Sequence, residues 1–409
     1  TGNLSLGTGY TLTTNTSTTN TFSGLVIGNG ALTKNGTGWL TLGGNNTYAG
    51  ATTINAGTLE IGAAGRLGGG TYAGNIANTA TFLYSGTNNQ ILSGILSGNG
   101  SFAQNGASTL TLTGNNTYTG ATTINGGTLL IGTGGTTGSI SASTSIVNNG
   151  TITFNRTDTL TQGTDFANSI TGTGNLTQAG TGTMILGTNT YSGATRVNSG
   201  TLQLTGNISS SALTVGTGGI LSIGNTTTSA KYNASSITIQ GGSGYAFTIG
   251  NVNASVAGTD YDQLTATGAL TLSNTAASPF TVYLNGAPTG WSNSGTYSWD
   301  IISAASQTGF TAGNFSVNLN SFGIASANRT GLWAFANPSG GTIRLSYTAA
   351  SGDSIWSGGA GSWSSGFSPG VTTDRSLVFT GAGGAATNDI ASGTLSSINF
   401  ITFNSTAGS

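Results

Sequence analysis

The sequence contains no cysteine and no histidine. Without cysteine there are no disulfides and no thiolate metal sites. Without histidine, Ser-His and Cys-His catalysis are excluded, along with the commonest metal ligand. Charge is scarce as well: eight Lys or Arg and nine Asp or Glu leave a net charge of −1 over 409 residues. The basic residues are scattered from Lys34 to Arg375 and form no patch, so no nucleic-acid partner is expected. No run approaches the roughly 18 apolar residues of a membrane-spanning helix, and no transmembrane segment is expected. Proline occurs four times, always after Gly250.

Glycine is what the chain has instead: 71 residues of 409, far above the usual share of about 7%. Charged residues make up 4%, against about 25% in ordinary soluble domains. Disordered chains tend to carry high charge and few branched aliphatics, which does not describe this composition. Thr, Ser, Asn and Gly take over the solvating role. A near-neutral exterior has little charge repulsion to keep copies apart, and self-association is expected.

One stretch occurs three times. Gly28 to Gly62 reads GNGALTKNGTGWLTLGGNNTYAGATTINAGTLEIG, Gly98 to Gly132 repeats it closely, and Gly172 to Gly206 more loosely. The central tyrosines, Tyr48, Tyr118 and Tyr191, recur about 70 residues apart, and self-similarity at a near-fixed interval marks an array of stacked units. The copies differ on alternate residues. Leu40 and Leu42 correspond to Leu110 and Leu112, then to Met184 and Leu186, while the residue between them is Thr41, Thr111 or Ile185. Leu59 and Ile61 correspond to Leu129 and Ile131, then Leu202 and Leu204, flanking Glu60, Leu130 or Gln203. One parity stays apolar while the other drifts, the period-two signature of strands with one buried face.

Each copy breaks into short strands separated by Gly or Asn-Gly, residues that tolerate the positive φ of sharp corners. Short strands without helical period predict a coil winding about its own axis. Coils of this kind take roughly 20–25 residues, so each repeat would hold about three of them. Stacked at about 4.8 Å per coil they would make a rod.

The run G-x-G-x-L-T-K-x-G-x-G-x-L-T-L-x-G-x-N-T-Y-x-G-x-T-x-I-x-x-G-T-L resembles the autotransporter-associated β-strand repeat of bacterial surface proteins. Gly28 to Gly62 is the best copy; the third departs at Thr188-Asn189, one loop residue short, and at Arg196. The resemblance covers about half of the chain. It implies an all-β protein with a right-handed parallel β-helix, or β-solenoid, exported and displayed outside the cell. It implies no single biochemical activity.

Read in order, residues 1–255 form the repeat solenoid. Residues 256–350, richer in Pro and Trp, form a less regular β segment of wider coils or a small packed sheet. Residues 351–409 open a further solenoid block at Trp356-Ser357-Gly358-Gly359 and Ile398 to Phe403. The chain thus begins in mid-repeat and ends as another block begins. The expectation is either a window from a longer repeat protein or a fibre subunit whose end coils meet. Bare end coils carry unpaired N–H and C=O groups that favour such contact.

Candidate chemistry is sparse. Asp260 and Asp262 would point to one strand face about 7 Å apart, within the range for paired carboxylates acting on a glycosidic bond. The plainer expectation is that they cap a turn and accept from backbone amides. Arg156 is expected to neutralise Asp158, and Asp165 lies in the same loop-like stretch. Gly68-Gly69-Gly70 has no following helix and no placed lysine, so it reads as corner glycine rather than a phosphate cradle. Trp291, Trp299, Trp333, Trp356 and Trp363 could stack on sugars or plug irregular coils. Asn45-Asn46-Thr47 and Asn115-Asn116-Thr117 match the glycan acceptor pattern, with stacked corner asparagines the simpler account. Thr111, Thr113, Thr122 and Thr123 could belong to an ice-binding plane, but Ile185 and Arg196 break the pattern in the third copy. No catalytic, cofactor or metal residue is assigned.

The expected function is therefore structural and non-enzymatic: an extracellular rod in a surface filament, sheath or stalk, associating with itself. The alternative is a cell-surface adhesin passenger binding carbohydrate or another cell. A polysaccharide-active enzyme centred on Asp260 and Asp262 is the third reading.

Overall fold

A computed structural model describes residues 2–349 except 141–144, 168, 226 and 254–255, and beyond these only short strands such as Ser354–Trp356 and Ile401–Phe403. The Trp356 and Trp363 side chains lie outside the described residues. The long sheets are built by parallel pairing between strands that occupy the same face of successive coils. One coil is formed by Ile76–Asn78, Thr81–Tyr84 and Gln90–Leu92. The next is formed by Leu96–Ser97, Ser101–Gln104 and Thr109–Leu112. Ile76 pairs with Leu96, Phe82 with Phe102 and Gln90 with Leu110, the same step on all three faces. Elsewhere in the repeats the step varies: it is shorter from Met184 to Leu202 and longer from Ile152 to Leu176. The protein is a parallel β-solenoid, as its composition and periodicity require.

The alternation read from the repeats is the inside and outside of this coil. Leu40, Leu42, Leu110, Leu112, Met184 and Leu186 are all buried. Glu60, Leu130 and Gln203, of the opposite parity, remain half-buried. In a parallel stack each inward residue rests on its register partner one coil away. Leu40, Leu59, Phe82 and Phe102 form one such column, with the two phenylalanine rings stacked at 5.9 Å. Fully burying a side chain of this size contributes about 1.5–3 kcal/mol. The columns merge into one core from Leu6 to Tyr347.

Corners force glycine where consecutive coils nearly touch. Gly28, Gly98 and Gly172 occupy the same place in the three copies with φ of 96°, 97° and 97°. A Cβ there would stand 2.2, 2.1 and 2.3 Å from the carbonyl oxygens of Leu6, Asn78 and Asn148 on the neighbouring coil.

Beyond Gly250 the coils widen. Ile237 pairs with Leu270, and Leu270 in turn with Gln307, each a longer step than any within the repeats. The sheets nevertheless continue from the narrow coils into the wide ones. Thr296–Ser303, Thr342–Thr348 and Leu332–Ala336 then pair antiparallel, so the wide coils end in a small meander.

Candidate functional site

The polar residues that recur in all three copies turn out to be interior fasteners. In the Asn-Asn-Thr-Tyr block the second asparagine enters the coil. Asn46 Oδ1 accepts the Val26 N–H at 2.9 Å, and Asn116 and Asn189 accept those of Leu96 and Ile170 at 2.7 Å, each one coil earlier. Asn46 Nδ2 donates to Arg66 O at 3.2 Å and Asn116 Nδ2 to Ser139 O at 2.7 Å, one coil later. These amides bind three successive coils. Asn189, at the shortened loop, donates instead to Gly187 O at 2.9 Å.

The tyrosine two places on is buried in every copy. The Tyr48, Tyr118 and Tyr191 hydroxyls share hydrogen bonds with the Oγ1 of Thr52, Thr122 and Thr195 at 2.7, 2.6 and 2.5 Å. Burial pushes the Tyr191 hydroxyl up to about 12 and the Tyr48 hydroxyl well above its usual range. These phenols stay neutral at any physiological pH.

A third set lies where the first strand of each copy ends. Gln104 Nε2 donates to the Gly106 and Ser108 carbonyls, both at 3.0 Å. Gln178 Nε2 donates to the Gly180 and Gly182 carbonyls at 2.9 and 3.1 Å. Lys34 fills the same place in the first copy, its Nζ donating to the carbonyls of Gly36 and of Ala56. Burial lowers the Lys34 pKa.

Asparagine stacking does occur, at different residues from those expected. Asn55 Nδ2 donates to Asn35 Oδ1 and Asn125 Nδ2 to Asn105 Oδ1, both at 2.7 Å on the exposed corner. Asn45 and Asn115 are exposed, whereas Asn46 and Asn116 are the fasteners described above. The stacked pair was readable from sequence as two asparagines one coil apart, Asn35 with Asn55 in the first copy and Asn105 with Asn125 in the second.

The carboxylates are engaged. Asp262 is fully buried, its Oδ1 accepting the Ala230 N–H at 2.9 Å and its Oδ2 the Thr248 N–H at 2.7 Å. Burial outweighs those two bonds and raises its pKa to about 8. Asp260 Oδ2 accepts the Val256 N–H at 2.9 Å. Arg156 Nε donates to Asp158 Oδ1 at 2.9 Å and its other nitrogens to the Gly138 and Thr136 carbonyls. Asp165 Oδ2 accepts the Thr161 N–H at 2.7 Å. Among the described residues no three His, Cys, Asp or Glu side chains gather to hold a metal ion.

Gly68–Gly70 form a single tight turn. Thr122 points into the core at 1% exposure, bonded to Tyr118, and so shares no outer plane with Thr123; Thr111, outward between Leu110 and Leu112, is covered to 7% exposure beside Ile91 and Leu130. The tryptophans of the wide coils pack together. Trp299 is buried. Trp291 stacks with Trp333 at 5.9 Å and meets Tyr347 at 4.7 Å and Phe322 at 5.3 Å. Beside this cluster lies an open groove lined by Phe315, Val317, Leu319, Trp333 and Phe335.

Comparison with known proteins places the repeats. The Passenger-associated-transport-repeat family model matches residues 32–61, 102–131 and 176–204. The "Adhesin BmaC autotransporter" of Brucella suis biovar 1 (strain 1330) is 32% identical over 197 residues, 47% of this chain and 4% of that relative. The chain thus spans a small fraction of the curated relative it matches. It carries the repeats of autotransporter passengers, and with them the mark of an exported protein of the bacterial cell surface.

Proposed function

We propose that this chain is a non-enzymatic section of a surface passenger, serving as a rigid stalk that associates with its own copies. The observation that carries this reading is the continuous core. A single apolar interior runs from Leu6 to Tyr347, and the residues that recur between copies are spent on fastening coil to coil. Parallel ladders make each coil the template for the next, so stability accrues coil by coil along the rod. The outer face is nearly uncharged, which supports close approach of like rods. The test is microscopy of the purified chain. Uniform filaments or bundles support the stalk; isolated rods at every concentration count against self-association.

The second reading is an adhesin, supported by the name of the relative and by the aromatic groove beside Trp333. Here the solenoid would carry the wide coils outward to a carbohydrate or another cell. Binding to a glycan array that is lost on Trp333→Ala, with the solenoid intact by circular dichroism, would favour this reading over the stalk alone.

A further inference from the structure

The repeat length and the coil length do not match by whole coils. Starting from Leu40, three coils along one eight-stranded sheet lead through Leu59 and Phe82 to Phe102. Leu110, the counterpart of Leu40, comes one strand later, on the next face. Starting from Leu110, three coils along the fifteen-stranded sheet lead through Leu129 and Ile152 to Leu176. Met184, the third counterpart, again comes one strand later, in the seven-stranded sheet. Each repeat is therefore three coils and one face. The outer residues follow: Thr47, Thr117 and Thr190 are all exposed. Their amides bond to Val26, Leu96 and Ile170, in three different columns.

We infer that each repeat is turned by one face, a third of a turn, relative to the one before, so that equivalent outer positions, marked by Thr47, Thr117 and Thr190, appear on three sides of the rod and serve there as a lateral contact for parallel copies of this chain. The lateral contact rests on the self-association proposed above; the rotation does not. One repeat advances along the axis by ten thirds of a coil, about 16 Å at about 4.8 Å per coil. A parallel copy shifted by one repeat and turned by a third of a turn brings equivalent outer positions to the same height. A partner lacking that period would lose register within one repeat, which is why a second copy fits best. The facing residues include Thr33, Thr53, Ala103, Thr123 and Thr177, with the exposed Arg196 in the third copy where the others have Thr53 and Thr123; a shift by one repeat sets that arginine against threonine, so no like-charge pair forms.

The chain has no cysteine, so Thr47→Cys, Thr117→Cys and Thr190→Cys can be labelled cleanly. In the diluted chain, spin-label distances for the three pairs should describe an open triangle, with 47–190 well short of the sum of 47–117 and 117–190. A 47–190 distance equal to that sum would place the labels on one side and overturn the rotation. In the concentrated chain, a short bis-maleimide should cross-link each single-cysteine variant to a neighbouring copy in comparable yield. Cross-linking at one position only would overturn the three-sided contact. A chain that cross-links at none, with the triangle intact, would overturn the lateral contact while leaving the rotation standing; filaments in microscopy of the same sample would then show self-association through another contact, and isolated rods would overturn the self-association reading too.

Discussion

Lys34 is a buried cation in a position where the other two copies carry glutamine. Its ammonium is held by carbonyl oxygens alone, with no acidic partner among the salt bridges of the described residues. Gln104 and Gln178 make the matching bond to the carbonyl two residues on, but their second goes to the carbonyl four residues on, where Lys34 reaches Ala56 on the next coil. Lys34→Gln should therefore keep the bond to Gly36, exchange Ala56 for Gly38 and remove the cost of holding a charge away from water. Replacing even a paired buried charge by neutral residues of similar volume is often neutral or stabilising by about 1–4 kcal/mol, and an unpaired ammonium has no ion-pair attraction to lose. The carbonyls already recover part of that cost, so the expected gain is about 1–2 kcal/mol. Lys34→Met, with no donor, leaves carbonyls bare and should lose about 1–3 kcal/mol. In a stack of coils the effect is local, so the assay is amide hydrogen exchange over Ala31–Lys34 and Thr52–Ile54. A gain of about 1.4 kcal/mol slows exchange roughly tenfold. The sign has a pH signature. A lysine whose folded pKa is lowered holds fewer protons folded than unfolded, so wild-type stability rises with pH as that proton leaves. The advantage of Lys34→Gln should shrink toward pH 10. Faster exchange in Lys34→Gln than in the wild type at neutral pH would refute the reasoning, because the cation would then be stabilising its surroundings.

Other perturbations follow from the same geometry. Asn116→Ala strips the Leu96 N–H and the Ser139 carbonyl of their partner, and the coils on either side should lose about 2–4 kcal/mol of protection; unchanged exchange at Leu96 would contradict the fastener role. Tyr118→Phe removes the bond to Thr122 and should cost about 1 kcal/mol, read as a small fall in the melting midpoint. For Asp262, a pKa of about 8 in the fold against 3.8 for the free group means that its protonated form supports the fold. That contribution is complete below about pH 4 and is lost as pH rises through about 8. The protection factor of the Thr248 amide, taken against the intrinsic exchange rate at each pH, should fall over that window in the wild type and stay flat in Asp262→Asn.

The parity of the strands was open to reading because it depends on adjacent residues: Leu40 and Leu42 against Thr41 show inside and outside whatever the coil length. The number of coils per repeat was less accessible. The interval from Tyr48 to Tyr118 suggested three, but coils of unequal length and corner segments such as Thr117-Tyr118, which lack strand pattern, conceal the extra face. Counterparts such as Leu40 and Leu110 therefore do not stack on each other. The fasteners were hidden by composition. In so asparagine-rich a chain Asn45 and Asn46 look alike, and only their parity relative to buried Tyr48 separates a solvent residue from an interior one. One sequence signal was available: Asn46, Asn116 and Asn189 are retained where Asn45 and Asn115 give way to Thr188. Asp260 caps a local turn through the Val256 amide, as a short-range reading allows, whereas Asp262 reaches the amides of Ala230 and Thr248 from distant parts of the chain, which spacing alone does not reveal. In the wide coils, by contrast, alternation is interrupted by long loops, and although Thr342–Thr348 forms a local hairpin with Leu332–Ala336, its antiparallel pairing with Thr296–Ser303 joins segments far apart in sequence.

Two double-cysteine variants put the winding itself to the test. Thr33 lies directly beside Thr53 on the next coil, within the Cα separation that a disulfide needs, whereas Ala103 is its counterpart in the following repeat. Mild oxidation should close Thr33→Cys/Thr53→Cys within one chain and leave Thr33→Cys/Ala103→Cys open. A bridge between 33 and 103, or none between 33 and 53, would contradict the stacked coil.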